Sequence, residues 1–389
     1  MTATTSTTIT TLAGGGSEDF LTVRHVRAQG SNRAIGRTLA EAARHVHGNA
    51  AGPLPSADPL VRQARVEWFA GRWPAMVDRM AGVADAFGVD PDDERYELGW
   101  LGTFAVPAGC SVVHYPGSGT KDGHGIVSRH FDFPTATFGE IVALGAQPGE
   151  RPLAADVWVT ELRPDDGYAS LTVAIMDVLG AMDGVNEAGL SVALLADNET
   201  PDPEPSGWPQ VGLSEQQVVR HLLDTCATAA EARRALLLAK QYYFFTPCHF
   251  LVADRSGDSF VWEHSPRRNL ERIVTAPSGA GGRLICTNHL LHRWPEGVEL
   301  PEDDGPMGTA AFTYRRWRTL AEQVHGGAVV SRDDIRDQFA AVRFAAPLEG
   351  GRTFWHALYD VDEPSAEVSF FLHDAGGESV YSDPVRLLL

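Results

Sequence analysis

Residues 106–133 read VPAGCSVVHYPGSGTKDGHGIVSRHFDF. Two β-branched and aromatic runs, CSVVHY and IVSRHFDF, flank PGSGTKDGHG, a string of turn residues, and that order predicts a β-hairpin. Cys110 opens its first strand. Arg129 and Asp132, nineteen and twenty-two positions later, lie on the returning strand and come back beside Cys110. A spacing of three places their side chains on opposite faces of a regular strand, so for both to attend one residue a bulge or a strand end must lie between them.

Upstream of the hairpin, from Ser31 to about Trp100, IGRTLAEAARHV and VRQARVEWFAGRWPAMVDRMAGVADAFG place apolar residues at three- and four-residue steps. Pro53, Pro55 and Pro59 punctuate the join. This predicts a helical N-terminal segment over 17–109, behind a disordered tip at 1–16, with a single large domain over 110–389. The tip, MTATTSTTITTLAGGG, lacks the basic and apolar regions of a secretory signal, and no later stretch approaches eighteen uninterrupted apolar residues. The expectation is a cytoplasmic protein with no membrane partner.

Downstream, strands are expected at VWVTEL, SLTVAIMDVLG and LSVALLA, then two helices over LSEQQVVRHLLDTCATAAEARRALLLA, the second starting at Thr228 with Glu231 at capping-box spacing. HFLVADRSGDSFVWEHS and RLICTNHLL return to strands, TYRRWRTLAEQV is helical, and FWHALYDV with EVSFFLHD form a terminal hairpin. Strands and helices come in blocks. That favours an α+β fold of layered antiparallel sheets with helices outside over a doubly wound parallel sheet.

The 389 residues, 43% of them hydrophobic, can build a substantial core. With 51 acidic residues against 32 Lys and Arg, the formal charge of −19 argues against nucleic acid as a partner. The four cysteines, Cys110, Cys226, Cys248 and Cys286, form neither a disulfide framework nor a Cys-x-x-Cys metal motif.

Alone, Cys110 reads as a small core residue. Gly109 before it changes the reading, because a carbonyl without a neighbouring side chain can be approached closely and twisted. Thiol attack on that carbonyl, an N-to-S shift and hydrolysis would leave Cys110 as a new N-terminus. Its α-amine, with an ordinary pKa of roughly 7.7–8.0, could then act as base to the thiol on the same residue. Arg129 suits a thiolate and Asp132 an ammonium, although the same pair could simply close a hairpin edge.

Taken in order, GCSVV, SRHFDF, GVNEAGLSVALLADN, CTNH and TYRRWRTL resemble the choloylglycine hydrolase and isopenicillin-N acyltransferase group of N-terminal-nucleophile (Ntn) hydrolases, from about Gly109 to Asp360. The resemblance implies an αββα four-layer sandwich and a propeptide-like leader that stays associated after self-cleavage between Gly109 and Cys110. It implies Cys110 as nucleophile, Arg129 steadying the thiolate, Asp132 binding the nucleophile's amine, and Asn288 holding either the reacting carbonyl oxygen or the amine. Thr313 and Arg316 match a Ser/Thr and an arginine before an aromatic residue, with Arg315 and Arg318 as near alternatives. For the oxyanion hole, counting from Asn186 lands on Ala196; Asn198 requires a two-residue insertion, and a backbone N–H is the other option. His130 stands where many relatives carry Asn, as a pocket-tuning or structural residue.

The expected activity is an amidohydrolase acting on a non-peptide, linear amide through a Cys110 acyl-enzyme. The alternatives are transfer of the acyl group to an amine, a non-catalytic scaffold, and a peptidase pairing Cys110 with His130 or His289. No cofactor is expected. Cys286, His289 and His292 lack a fourth ligand at sensible zinc spacing, and SGAGG lacks the Lys-Ser/Thr of a phosphate loop. The expected partner is a small-molecule amide, and a homo-oligomer is compatible with the sequence. The run Tyr242–Phe245 suits either an acyl pocket or the core.

Overall fold

The computed structural model describes residues 8–101, 109–141, 151–197, 199, 206–265, 270–304, 311–324, 327–344 and 351–389. The chain begins with strands β1 (Thr8–Gly14) and β2 (Thr22–Gly30), followed by helix α1 (Asn32–His47), the two-residue β3 (Leu54–Pro55), α2 (Pro59–Arg72), α3 (Pro74–Phe87) and the two-residue β4 (Tyr96–Glu97). Ser31 caps α1 by accepting the Ala34 N–H, and Asp58 caps α2 ahead of a proline at its first position. The three helices fall where the apolar period put them. Two expectations are corrected: residues 8–14 of the supposed disordered tip form a strand, and the supposedly helical segment contains another at 22–30. The threonines and isoleucine of residues 8–14 are strongly β-forming, and β2 buries Val23 and Val26.

The hairpin follows as β5 (Gly109–Tyr115) and β6 (Ile126–Pro134), then the one-turn α4 (Phe138–Ile141), β7 (Asp156–Pro164), β8 (Ser170–Ile175), β9 (Asp183–Asn186) and β10 (Leu190–Ala196). Helices α5 (Glu215–Thr225) and α6 (Ala229–Leu238) precede β11 (Cys248–Asp254), β12 (Ser259–Ser265), β13 (Leu270–Val274) and β14 (Leu284–Cys286). The chain closes with α7 (Thr313–Val324), α8 (Arg332–Ala340), β15 (Gly351–Asp360), β16 (Ser365–Ala375), β17 (Glu378–Tyr381) and β18 (Val385–Leu388). Thr228 caps α6 by accepting the Glu231 N–H, while the Glu231 carboxylate reaches the Ala227 N–H.

Among the described residues a nine-stranded sheet runs β1-β2-β7-β8-β9-β10-β11-β12-β13, and a seven-stranded sheet runs β14-β5-β6-β15-β16-β17 with β18 also on β16. Within both sheets the pairings are antiparallel except β2 on β7. The N-terminal strands thus build one edge of the larger sheet. Helices α1, α5 and α6 lie against that sheet, β5, β15 and β16 face its strands β9 and β10, and α7 lies against β14 and β5. The α+β class holds, with contacts in the order helix, sheet, sheet, helix.

Every residue of β5 is buried. The reason is that its two faces serve two cores: Cys110 and Val112 enter the main core between the sheets, whereas Val113 and Tyr115 join Leu320, Ile335 and Phe339 beneath α7 and α8. The β-branched run in the sequence is a strand apolar on both faces.

Candidate active site

The hairpin register sets the site. Gly109 stands opposite Asp132, Cys110 opposite Phe131 and Val112 opposite Arg129, with no irregularity between β5 and β6. The bulge lies instead on β15, between Thr353 and Trp355. Arg129 and Asp132 therefore do occupy opposite faces of β6, and they meet different parts of the surroundings of Cys110.

Arg129 points into the core between the sheets. It donates to Leu194 O and His130 O at 2.7 Å each, pairs with the fully buried Asp183 carboxylate, and lies beside the Cys110 thiol. Asp132 faces the other way. Its Oδ1 accepts the Thr353 hydroxyl, while Oδ2 is buried without a hydrogen bond among the described residues, its nearest cation being Arg316 Nη1 at 3.6 Å. A side chain at Gly109 would begin 3.0 Å from Ala311 Cβ and 3.2 Å from Asp132 Cβ. A larger residue there would push against both neighbours; the φ of Gly109 is not in the left-handed region.

Beyond β14 the chain bends, and Thr313 Oγ1 at the start of α7 accepts the Asn288 N–H at 2.8 Å. So held, Asn288 Oδ1 accepts the Cys110 N–H at 2.8 Å and Arg316 Nη2 at 2.6 Å, and its Nδ2 donates to Ala196 O at 2.7 Å. Arg316 also donates to Ser111 Oγ at 2.7 Å, to Ala311 O at 2.8 Å and to Cys110 O. Of the three candidate arginines it is the one on the buried stripe Thr313, Arg316, Leu320, Val324. Arg315 lies over the Phe312 ring and Arg318 reaches Pro301 O at 3.0 Å.

Burial pushes the Cys110 thiol up, opposed by the Arg129 charge and by a hydrogen bond from the Ala196 backbone. Burial likewise raises the Asp132 and Asp183 carboxyls and depresses Arg316. Cys110 borders a cavity of about 30 Å³ whose walls include Phe131, Phe133, Met176, Leu194 and Phe245. Phe245 resolves part of the aromatic run, since it lines this cavity and packs against Trp100 at 5.1 Å.

Cys110, Arg129, Asp132, Asn288, Thr313 and Arg316 are thus brought together around the Gly109–Cys110 bond. His130 is not. It faces α8, its ring 4.9 Å from Phe339 and 4.6 Å from His356, and burial drives its pKa well down. His289 bonds the Thr287 and Thr313 hydroxyls, so neither histidine hydrogen-bonds Cys110 among the described residues. Asn198 lies outside the described residues, whereas Ala196, where direct counting landed, presents its backbone to the thiol. Among the described residues no group of three His, Cys, Asp or Glu side chains could hold a metal ion, and no helix is long and apolar enough to cross a membrane. Asp183 and Thr353 were not foreseen. Each follows an ordinary strand pattern, and their partners on β6 come from strands far away in sequence.

The family described as acyl-coenzyme A:6-aminopenicillanic acid acyl-transferase matches residues 119–367. No curated protein matches the chain. Among solved structures, the chain is similar to penicillin V acylase from Agrobacterium tumefaciens at 16% identity, covering 70% of this chain and 86% of that one with a TM-score of 0.42. A mutant of conjugated bile acid hydrolase from Clostridium perfringens has 13% identity, 70% and 92% coverage and a TM-score of 0.44. The Caenorhabditis elegans ortholog of N-acylethanolamine-hydrolyzing acid amidase has 16% identity, 65% and 93% coverage and a TM-score of 0.39.

Proposed function

We propose that this chain, which belongs to the acyl-coenzyme A:6-aminopenicillanic acid acyl-transferase family, is a self-processing cysteine amidohydrolase that cleaves a linear, non-peptide amide through a Cys110 acyl-enzyme. The family is described by an acyl-transfer activity, and hydrolysis shares every step of acyl transfer but the last. The observation that carries the finer reading is that Asp132 Oδ2 lies beside Gly109 with no hydrogen bond among the described residues and only the Arg316 guanidinium at 3.6 Å, while the Cys110 nitrogen is held by Asn288 Oδ1. A buried carboxylate oxygen without a hydrogen bond is unfavourable unless a donor arrives. The α-ammonium created by cutting the Gly109–Cys110 bond is such a donor.

In processing, Sγ adds to the Gly109 carbonyl carbon, the C–N bond breaks as C–S forms, and the thiol proton passes to the departing nitrogen. Water then hydrolyses the thioester, leaving a Gly109 carboxylate and a free Cys110 thiol and amine. In turnover the amine takes the thiol proton, Sγ attacks the substrate amide, and the same proton leaves with the product amine; water, deprotonated by the amine, then attacks the thioester, the acid departs and the proton returns to Sγ. Arg129 favours the thiolate, Asn288 and Asp132 orient the amine, Arg316 steadies Asn288, and Thr313 fixes the loop that carries it. The Ala196 backbone N–H supplies a donor towards the developing oxyanion.

The fragments remain associated because the leader is woven into the body. β2 lies in the larger sheet, and Arg79 on α3 makes a buried ion pair with Asp224 on α5 at 2.6 Å. Amide profiling with and without an added amine tests the activity. Acid release without added amine supports the hydrolase. If acyl consumption requires an amine and yields a new amide, the chain is an acyltransferase, the reading that the family's own description favours.

A further inference from the structure

Three polar side chains in succession open α5. Glu215 accepts the backbone N–H groups of Phe244, Phe245 and Thr246 at 2.8, 2.6 and 3.2 Å. Gln217 donates to Gly99 O at 3.0 Å and accepts the Ser214 N–H at 3.1 Å. Between them Gln216, 1% exposed, has neither Oε1 nor Nε2 in a hydrogen bond among the described residues. It lines the cavity that contains Cys110, whose other walls include Phe131, Met176, Met182, Leu194 and Phe245.

Gln216 is also held in place. Its carbonyl accepts the Ala181 N–H at 3.3 Å, and it packs over Gly180, where a Cβ would sit 2.7 Å from Gln216 Cβ and 3.1 Å from its Oε1. A fixed amide without a hydrogen bond among the described residues, in a largely apolar cavity, is a poor structural element but a good recognition element. It leaves a donor and an acceptor to be satisfied by whatever enters.

We propose that Gln216 determines acyl specificity, selecting a short acyl group that carries a neutral hydrogen-bonding function, a hydroxyl or carboxamide, over a plain alkyl group of the same length. The inference rests on the reading of Cys110 as the acyl-accepting nucleophile. Short chains suit a cavity this small, about 30 Å³. A charged terminus is disfavoured because both oxygens of Glu215, the acidic wall, are taken by backbone N–H groups, so an ion would be desolvated without a partner.

The test compares p-nitroanilides of 3-hydroxypropionate and butyrate, which have equal heavy-atom counts, on the processed full-length protein, with intact-mass detection of the Cys110 adduct. The expected result is a kcat/KM at least about tenfold higher for the hydroxyacyl substrate, because an apolar analogue leaves the amide unpaired. Gln216→Leu should erase or reverse that ratio, and Gln216→Met gives the same reading if the leucine variant fails to fold. Equal turnover of both anilides by the wild type, or a ratio unchanged in the variants, overturns the inference about Gln216 alone. Absence of a Cys110 adduct with either substrate overturns the acyl-enzyme reading beneath it.

Discussion

Asn288 Oδ1 lies 2.8 Å from the Cys110 nitrogen while its Nδ2 lies 2.7 Å from Ala196 O, so one side chain ties the strand of Cys110 to β10 of the opposite sheet. Replacing it by alanine removes the acceptor that orients the amine and leaves Ala196 O without that donor. Asn288→Ala should lower kcat by roughly 10²-fold or more, the loss usual for one oriented catalytic hydrogen-bonding group. Steady-state kinetics on any amide the wild type accepts checks this, and a loss confined to KM would contradict the role.

Asp132→Asn separates chemistry from stability. The Thr353 hydroxyl still finds an oxygen at the Oδ1 position, and the atom replaced by nitrogen is the one without a hydrogen bond among the described residues. The variant should therefore fold with a melting temperature close to the wild type's, yet lose processing and turnover by about 10²-fold or more, because a neutral amide cannot hold an ammonium as a carboxylate does. Retained processing would refute the assignment.

Arg129 and Asp183 are both fully buried and paired. Arg129→Leu leaves Asp183 charged without its cation and should cost about 3–5 kcal/mol in urea unfolding. The double variant Arg129→Leu with Asp183→Leu should recover much of that stability while remaining inactive. A double variant no more stable than the single one would mean that the pair is not coupled.

Much of this arrangement was legible in the sequence, because the hairpin, its glycine-rich turn and the three leader helices are local features written in period and turn chemistry. The registers of Cys110, Arg129 and Asp132 followed from strand geometry, and opposite faces for Arg129 and Asp132 are what the structure shows without a bulge in β6. What the sequence hid was long-range. β2 passed for part of a helical segment because its pairing with β7, some 130 residues on, is invisible locally, and β1 in turn pairs only with β2. Asp183, Thr353 and Gln216 carry no local mark of their neighbours.

Asp177 offers a test by pH. Burial raises its carboxyl from the ordinary 3.8 to about 7. Between those values the folded chain holds a proton that the unfolded chain has released, so stability falls as pH rises through that window. Asp177→Asn keeps an oxygen for the Leu101 and Leu179 N–H groups and removes the titration. Thermal unfolding at pH 5 and pH 8 should show a smaller loss on going to pH 8 in the variant than in the wild type. Equal losses would place the pH dependence elsewhere.

Whether Cys110 becomes an N-terminal nucleophile by cutting its own chain is tested most directly by denaturing mass measurement of the purified protein. Two fragments, ending at Gly109 and beginning at Cys110, that co-purify under native conditions are expected, with a single uncut chain for Cys110→Ala. Fragments that meet at another bond, or cleavage that persists in Cys110→Ala, would contradict self-cleavage by Cys110.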